Sequence, residues 1–520
     1  MTIGLASARL ARIVLALLTF SLVAGARADD APEPPQSQPA ATPSGQKAPA
    51  AGKRDGGTQN PAVAAEPHRL PPDSVTKQSL ALPGRTLAFT ATAGSIHLFN
   101  DKGEAQADIA YTSYSLDGAD ARTRPVTFFF NGGPGAASAY LQFGNTGPWR
   151  LDINAVNSSV APDLQPNADT WLDFTDLVFI DPVGTGYSRF VATGDDVRKH
   201  FFSIDGDVDS IALTIRRWLE KHDRLLSPKF VAGESYGGIR GPKVVRDLQM
   251  RQGVGVRGLI LVSPVLDFRE FSGSSILQYV WSLPTMAAVA RQAKGAVTRA
   301  DMADVEGYAR GEFLADLIKG VADTEATTRL ADHVAALTGI DQAVSRRLAG
   351  RFDVAEFRRE FDRKDGKVTG RYDASVLGLD PYPDSSFYHF NDPSGDNLSA
   401  PLTSAAVDLI TRKLNWRPDG SYEVLNPAVE RAWDFGRGPA ESISQLRQIL
   451  ALDPKLKLLV GHGLFDLATP YFGSRILLDQ LPAYASPDRV KLVVYPGGHM
   501  FYSRDASRQA FRSEAEALMK

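Results

Sequence analysis

Gly233-Glu234-Ser235-Tyr236-Gly237 has the spacing G-x-S-x-G. In that spacing a serine sits on a sharp strand-to-helix turn with its hydroxyl held clear of the backbone. Glycines on either side leave room for such a turn. The flanks agree with it. Lys229-Phe230-Val231-Ala232 is a short apolar strand, and Gly238 to Val245 can open a helix. A serine hydroxyl is a weak nucleophile; it needs a base to take its proton and a carboxylate to orient that base. Asp466 and His499 follow Ser235 in the order acid, then histidine. His499 is the only histidine beyond Asp466. Asp479 and Asp488 compete by order alone, but neither ends an apolar run. Earlier in the chain, Asn131-Gly132-Gly133-Pro134-Gly135 directly follows the run Val126–Phe130. Glycines there let backbone N–H groups face a developing oxyanion, and the expected donors are the N–H groups of Gly133 and Tyr236.

The elements that must position these groups are legible as short apolar runs. They are Val126–Phe130, Leu177–Ile180, Phe230–Ala232, Gly258–Val262, Leu456–Val460 and Val490–Val494. Continuous runs of this length mark strands buried on both faces of a parallel sheet. Asp466 follows one of them and His499 another, and the carboxyl ends of such strands are where sites form. Between runs, Asp207 to Lys221 carries Val208, Ile211, Ala212, Ile215, Trp218 and Leu219 on one helical face. Before them, Thr86–Ala91, Ser95–Phe99 and Ala107–Tyr111 alternate, which predicts an antiparallel meander with a break at Gly94. The expected fold is α/β: an α/β-hydrolase with a mostly parallel central sheet, antiparallel N-terminal strands and a largely helical cap insertion. The core is expected in two parts, residues 69–269 and 442–520, with the cap over 270–441. Within the cap, Thr298 is placed to cap a helix through Val305 and Tyr308. His333 reads as an ordinary packing residue, and His462 is given no role.

The 520 residues carry a net charge of −3 and no cysteine. Near-neutral charge argues against a nucleic-acid or anionic-membrane partner. Lack of cysteine excludes disulfides, thiolate metal sites and a cysteine nucleophile. Arg9 and Arg12, the apolar run Ile13–Val23 and Ala26-Arg27-Ala28 have the form of a cleaved export signal, residues 1–28. Residues 29–68 are rich in Ala and Pro and read as a disordered linker. A periplasmic or secreted protein, with no membrane contact after signal removal, is expected. Oligomeric state is not legible.

Several motifs occur together and in order. They are Asn131–Gly135, Asp181-Pro182-Val183-Gly184-Thr185-Gly186-Tyr187-Ser188, Gly233–Gly238, Asp466 and Gly498-His499-Met500. Together they resemble the serine carboxypeptidase family, from about Val126 to Tyr502, thinly across the insertion. The chain is identified as an exported bacterial member. The resemblance implies a peptide substrate, no metal or cofactor, and a site for the substrate's C-terminal carboxylate held by Asn131, Gly132 and Glu234. Two carboxylates repel, so Glu234 must be protonated to bond one. Burial must therefore raise its pKa, and peptidase activity should be strongest at acidic pH. The chain departs from the family in three places. Phe129 stands where the family often has Trp, and Ala136 where it often has Cys. Asn145 stands where the family has a second Glu. An amide at Asn145 is expected to donate to Glu234 and to leave its pKa shifted less. Met500 matches a family residue near the leaving-residue pocket. The principal expectation is a serine-type carboxypeptidase acting through an acyl-enzyme. An acyltransferase or esterase on the same scaffold is the alternative, and an intact triad argues against a non-catalytic binding protein.

Overall fold

The computed structural model describes residues 68–153, 163–271, 273–386, 391–483 and 487–520. The predicted signal and all of the predicted linker but His68 lie outside the described residues. Residues 66–520 form one compact unit.

Nine strands run in chain order through the main sheet: β1 (Ser74–Leu82), β2 (Arg85–Phe99), β3 (Ala105–Leu116), β4 (Val126–Phe130), β5 (Asp176–Ile180), β6 (Lys229–Glu234), β7 (Gly258–Val262), β8 (Lys457–Gly463) and β9 (Val490–Tyr495). Their spatial order is β1-β2-β3-β5-β4-β6-β7-β8-β9, and the short strand Arg189–Phe190 pairs with β3. Pairs from β1 to β5 are antiparallel, and every pair from β5 to β9 is parallel. All six apolar runs are strands, which is the expected sheet.

Residue alternation explains why these runs are continuous. Phe128, Val231, Leu259, Leu261 and Val460 pack into one core with Ile211 and Trp218 of α1 (Ile204–Lys221) and Val244 and Leu248 of α2 (Gly237–Met250). Phe129, Phe179, Phe230, Ile260 and Leu459 point to the other face, against Phe511 and Ala515 of the C-terminal helix Asp505–Met519. Successive side chains leave a strand on opposite faces, so a strand covered on both sides must be apolar throughout. α1 starts at Ile204, before the expected Asp207, because the Ser203 hydroxyl accepts from the Gly206 N–H at 3.2 Å and caps it.

The meander differs from expectation in one respect: β2 runs unbroken through Gly94. A side chain at Gly94 would meet the Asp73 carboxylate 2.2 Å away. Asp73 Oδ1 accepts the Ser95 N–H at 3.2 Å. The glycine admits a close neighbour and makes no turn.

Between β7 and β8 the chain leaves the sheet and is mostly helical, including α3 (Leu277–Gln292) and α4 (Thr324–Thr338). Thr298 forms a capping box with Asp301, as its position predicts. His333 packs its ring on Tyr308 at 4.0 Å. These helices build a third core that takes in Leu464, Phe465 and Leu467, so the residues around Asp466 are packed by the insertion. Among the described residues, no helix is long and apolar enough to cross a membrane.

Candidate active site

Ser235 joins β6 to α2 with a φ of +60°, a backbone state that costs a non-glycine residue about 1–3 kcal/mol unless its surroundings hold it. Three backbone bonds hold it. Its N–H donates to the Val262 carbonyl at 3.0 Å, and its carbonyl accepts from Gly238 at 2.8 Å and Val265 at 3.1 Å. The strained turn is what lifts the side chain out of the sheet into a cavity of about 280 Å³, where His499 also lines the wall.

His499 Nδ1–H donates to Asp466 Oδ2 at 2.8 Å, which leaves Nε2 clear of the carboxylate. Both residues are buried. Burial alone would lower the histidine's pKa, but the Asp466 charge and hydrogen bond, with Glu234, outweigh it and the net shift is upward. Asp466 is immobilised on both oxygens. Oδ1 accepts from the N–H groups of Ala468 (2.8 Å) and Thr469 (3.0 Å), and Oδ2 from the Thr469 hydroxyl (2.7 Å). The histidine loop is pinned twice, by Ser263 Oγ donating to the His499 carbonyl at 2.7 Å and by the His499 N–H on the Tyr372 carbonyl at 2.5 Å. The rival Asp479 pairs with Arg475 at 2.8 Å on the surface. His462 is fully buried against Ser474 (2.9 Å), and burial pushes its pKa down to about 4. It is a neutral packing residue.

The Asn131–Gly135 loop abuts the serine turn. A Cβ at Gly132 would lie 2.4 Å from the Tyr236 amide nitrogen, so only glycine admits the approach. The N–H groups of Gly133 and Tyr236 are thus neighbours, and neither donates a backbone hydrogen bond among the described residues. What holds the loop there is a group the sequence reading missed. Arg240 of α2 is fully buried; its Nε donates to Asp207 of α1 at 2.7 Å and its Nη1 to the Asn131 carbonyl at 2.5 Å. The guanidinium lies over the Phe130 and Tyr236 rings at 5.5 and 5.1 Å.

Glu234 is buried and lines the same cavity as Ser235. Burial pushes its pKa up to about 7, against the lowering pull of His499 and of hydrogen bonds from Tyr502 and Asn131. Tyr502 O–H donates to Glu234 Oε2 at 2.9 Å. The expected partner, Asn145, is not there. Its amide is fully buried and, among the described residues, makes no hydrogen bond with either polar atom, and it does not line the cavity. The backbone bulges here into a π-helical turn over Gln142–Thr146. The donor to Glu234 comes instead from the turn just past the histidine. Tyr502 lies two residues after Met500, and nothing in that spacing links its phenol to Glu234. Asn131, Gly132, Gly133 and Met500 all line the cavity with Ser235. Phe129 points away from it, stacking on Phe179 at 4.8 Å.

Residues 87–304 match a family model described as serine carboxypeptidase. That stretch contains Asn131, Gly133, Glu234 and Ser235 but neither Asp466 nor His499. Two curated relatives from Arabidopsis thaliana are similar. Serine carboxypeptidase-like 16 is 27% identical over 34% of this chain, and serine carboxypeptidase-like 13 is 31% identical over 28%. The matches span only 41% and 33% of those relatives' own length. Among solved structures, Kex1(delta)p, a prohormone-processing carboxypeptidase from Saccharomyces cerevisiae, aligns over 82% of this chain and 91% of its own. The TM-score is 0.53 and the identity 14%. At that identity the likeness speaks for the fold alone, the mostly parallel sheet with antiparallel N-terminal strands described above.

Proposed function

We propose that this chain, a member of the serine carboxypeptidase family over residues 87–304, is a serine-type carboxypeptidase that releases single residues from peptide C-termini through an acyl-enzyme. The observation that carries the reading is Glu234. It is a buried carboxyl with its pKa raised to about 7, and it shares one cavity with Ser235 and His499. A protonated carboxyl can donate to a carboxylate, and the Asn131 amide and Gly132 N–H add two more donors. Such a clamp distinguishes a C-terminal carboxylate from an amide or ester.

The reaction follows from the geometry. Ser235 Oγ attacks the last peptide carbonyl and passes its proton to His499 Nε2, while Asp466 keeps the ring oriented through Nδ1. The N–H groups of Gly133 and Tyr236 take the charge that develops on the carbonyl oxygen. The tetrahedral intermediate collapses, and His499 returns the proton to the departing amine. The free amino acid leaves, and water, deprotonated by the same histidine, releases the acyl group from Ser235. The helical segment 270–441 acts as a cap over the site, supported by the Tyr372 carbonyl on the His499 N–H. Export through the amino-terminal signal, to the periplasm or outside the cell, completes the reading; a mature protein beginning at Asp29 is its signature.

The test compares a blocked dipeptide with its C-terminal amide and its ester. The acid is expected to turn over at least about tenfold faster than the amide, with all turnover lost in Ser235→Ala. Equal rates for acid and amide would refute carboxylate recognition, and ester cleavage alone would favour the esterase or acyltransferase.

A further inference from the structure

We infer that Asn426 is a positioning residue for the oxyanion hole: it ties a strap brought by the insertion, residues 422–426, across the glycine loop 131–135 and so fixes where the Gly133 N–H points. This rests on the serine-hydrolase chemistry proposed above and holds for a peptidase and an esterase alike.

The strap joins two loops that leave the paired strands β4 and β5. On one side it meets the loop after β4. The Asn426 N–H donates to the Gly135 carbonyl at 2.8 Å, the Ala137 N–H donates to the Val424 carbonyl at 3.0 Å, and Ala136 and Leu425 form an antiparallel bridge. On the other side it meets the loop after β5. There Gly186 donates to the Glu423 carbonyl at 2.8 Å, and Glu423 donates back to the Gly186 carbonyl at 3.0 Å.

Gly133 sits midway between two held carbonyls. Arg240 holds the Asn131 carbonyl, two residues before it, and the strap holds the Gly135 carbonyl, two residues after it. An N–H that must stay free to meet an oxyanion cannot be fixed by a bond of its own, so its direction depends on how its neighbours are anchored. The anchor at Gly135 is close. Its φ is +104°, and a Cβ there would lie 2.7 Å from the Asn426 carbonyl oxygen.

The Asn426 amide holds the strap in place. Its Nδ2–H donates to the Gly184 carbonyl at 2.9 Å, and its Oδ1 accepts the Ala428 N–H at 3.0 Å, which caps the short helix Pro427–Ala432. Packing does little of this work, because the strap has a cavity on each side. Leu425 lines the substrate cavity, while Glu423 and Asn426 line a separate one of about 350 Å³ together with Gly184 and Gly186. The bond to Gly184 is therefore the tether, and a shift of about 1 Å in a group that meets the transition state can cost up to about a hundredfold in rate.

Asn426→Ser separates the two jobs of the amide. Serine still caps the helix but lacks the Nδ2 donor; Asn426→Ala loses both. Purified full-length protein is assayed on a blocked dipeptide acid and on its ester, with active sites titrated by a fluorophosphonate. In Asn426→Ser, kcat per titrated site should fall roughly tenfold for both substrates with KM unchanged. Affinity for a peptide boronic acid, whose tetrahedral adduct on Ser235 puts an oxygen in the hole, should fall by the same factor. Asn426→Ala should match those losses and lower the melting temperature as well. Full kcat per titrated site in Asn426→Ser, with loss only in Asn426→Ala, overturns the proposal and leaves Asn426 a helix cap. A raised KM with unchanged boronate affinity overturns it too. If the unaltered protein turns over neither substrate, the hydrolase reading fails and this positioning role fails with it.

Discussion

Ser235, Asp466 and His499 each stand on a loop leaving the carboxyl end of one strand of a single parallel sheet, β6, β8 and β9. The residues proposed to grip or surround the substrate reach the same cavity from scattered places. Asn131 and Tyr140 follow β4, Glu234 ends β6 and is held from behind by Tyr502 past β9, and Tyr372 and Asp396 belong to the long helical insertion. The first group is positioned by the backbone ladder of the sheet, which tolerates little variation. The second is positioned by side-chain packing among segments far apart in the chain, and it is where the chain departs from the pattern of the family it resembles. The comparison implies that chemistry here should be robust to changes in the grip, and that the grip should be tunable without loss of chemistry.

Breaking the first group has the largest expected effect. Ser235→Ala should lower turnover of acid, amide and ester alike by about 10,000-fold or more in single-turnover assays. Next comes the buried pair that ties the two groups together. Arg240→Met leaves Asp207 charged and unpaired and should destabilise the fold by about 3–5 kcal/mol in chemical denaturation. Adding Asp207→Leu should recover most of that stability. Turnover of both peptide and ester should stay depressed, because the Asn131 carbonyl has lost its anchor.

Changes to the grip are smaller and show themselves in pH. Glu234 must be protonated to donate, and its pKa is raised to about 7, so kcat/KM for peptide acids should fall as pH rises through 7 while ester cleavage persists. Glu234→Gln, a donor at every pH, should remove that fall. Tyr502→Phe deletes a hydrogen bond that stabilises the ionised carboxyl, so the fall should move to higher pH. The smallest effect is expected at Asn145. Its amide is buried without a partner, so Asn145→Leu should leave stability equal or improved by about 1 kcal/mol and leave the pH profile unchanged. A shifted profile in Asn145→Leu would return Asn145 to the grip and blur the contrast between the two regions.

The apolar runs Val126–Phe130 and Gly258–Val262 were readable as buried strands because a strand covered on both faces has no position left for a polar residue. The serine turn was readable because its φ and its close neighbours restrict which residues fit, and that restriction is local. Gly94 was misread because a glycine that admits a carboxylate looks, in sequence, like one that makes a turn. Asn145 was misread for a related reason. Its place in the chain matches a carboxylate partner, but the π-helical turn around it and the packing of Tyr502 decide where its amide points, and neither has a local signature.

By itself the sequence determined the sheet, the serine turn with Asp466 and His499 in order after it, and the glycine loop beside them, since each depends on residues adjacent in the chain or on strand periodicity. Only the tertiary structure decided the rest. It sealed Glu234 away from water and so raised its pKa, gave it Tyr502 in place of Asn145, and buried Arg240 between Asp207 and the Asn131 carbonyl. Burial and electrostatic partnership depend on which distant segments come to lie within a few ångströms, and that is a property of the packed chain.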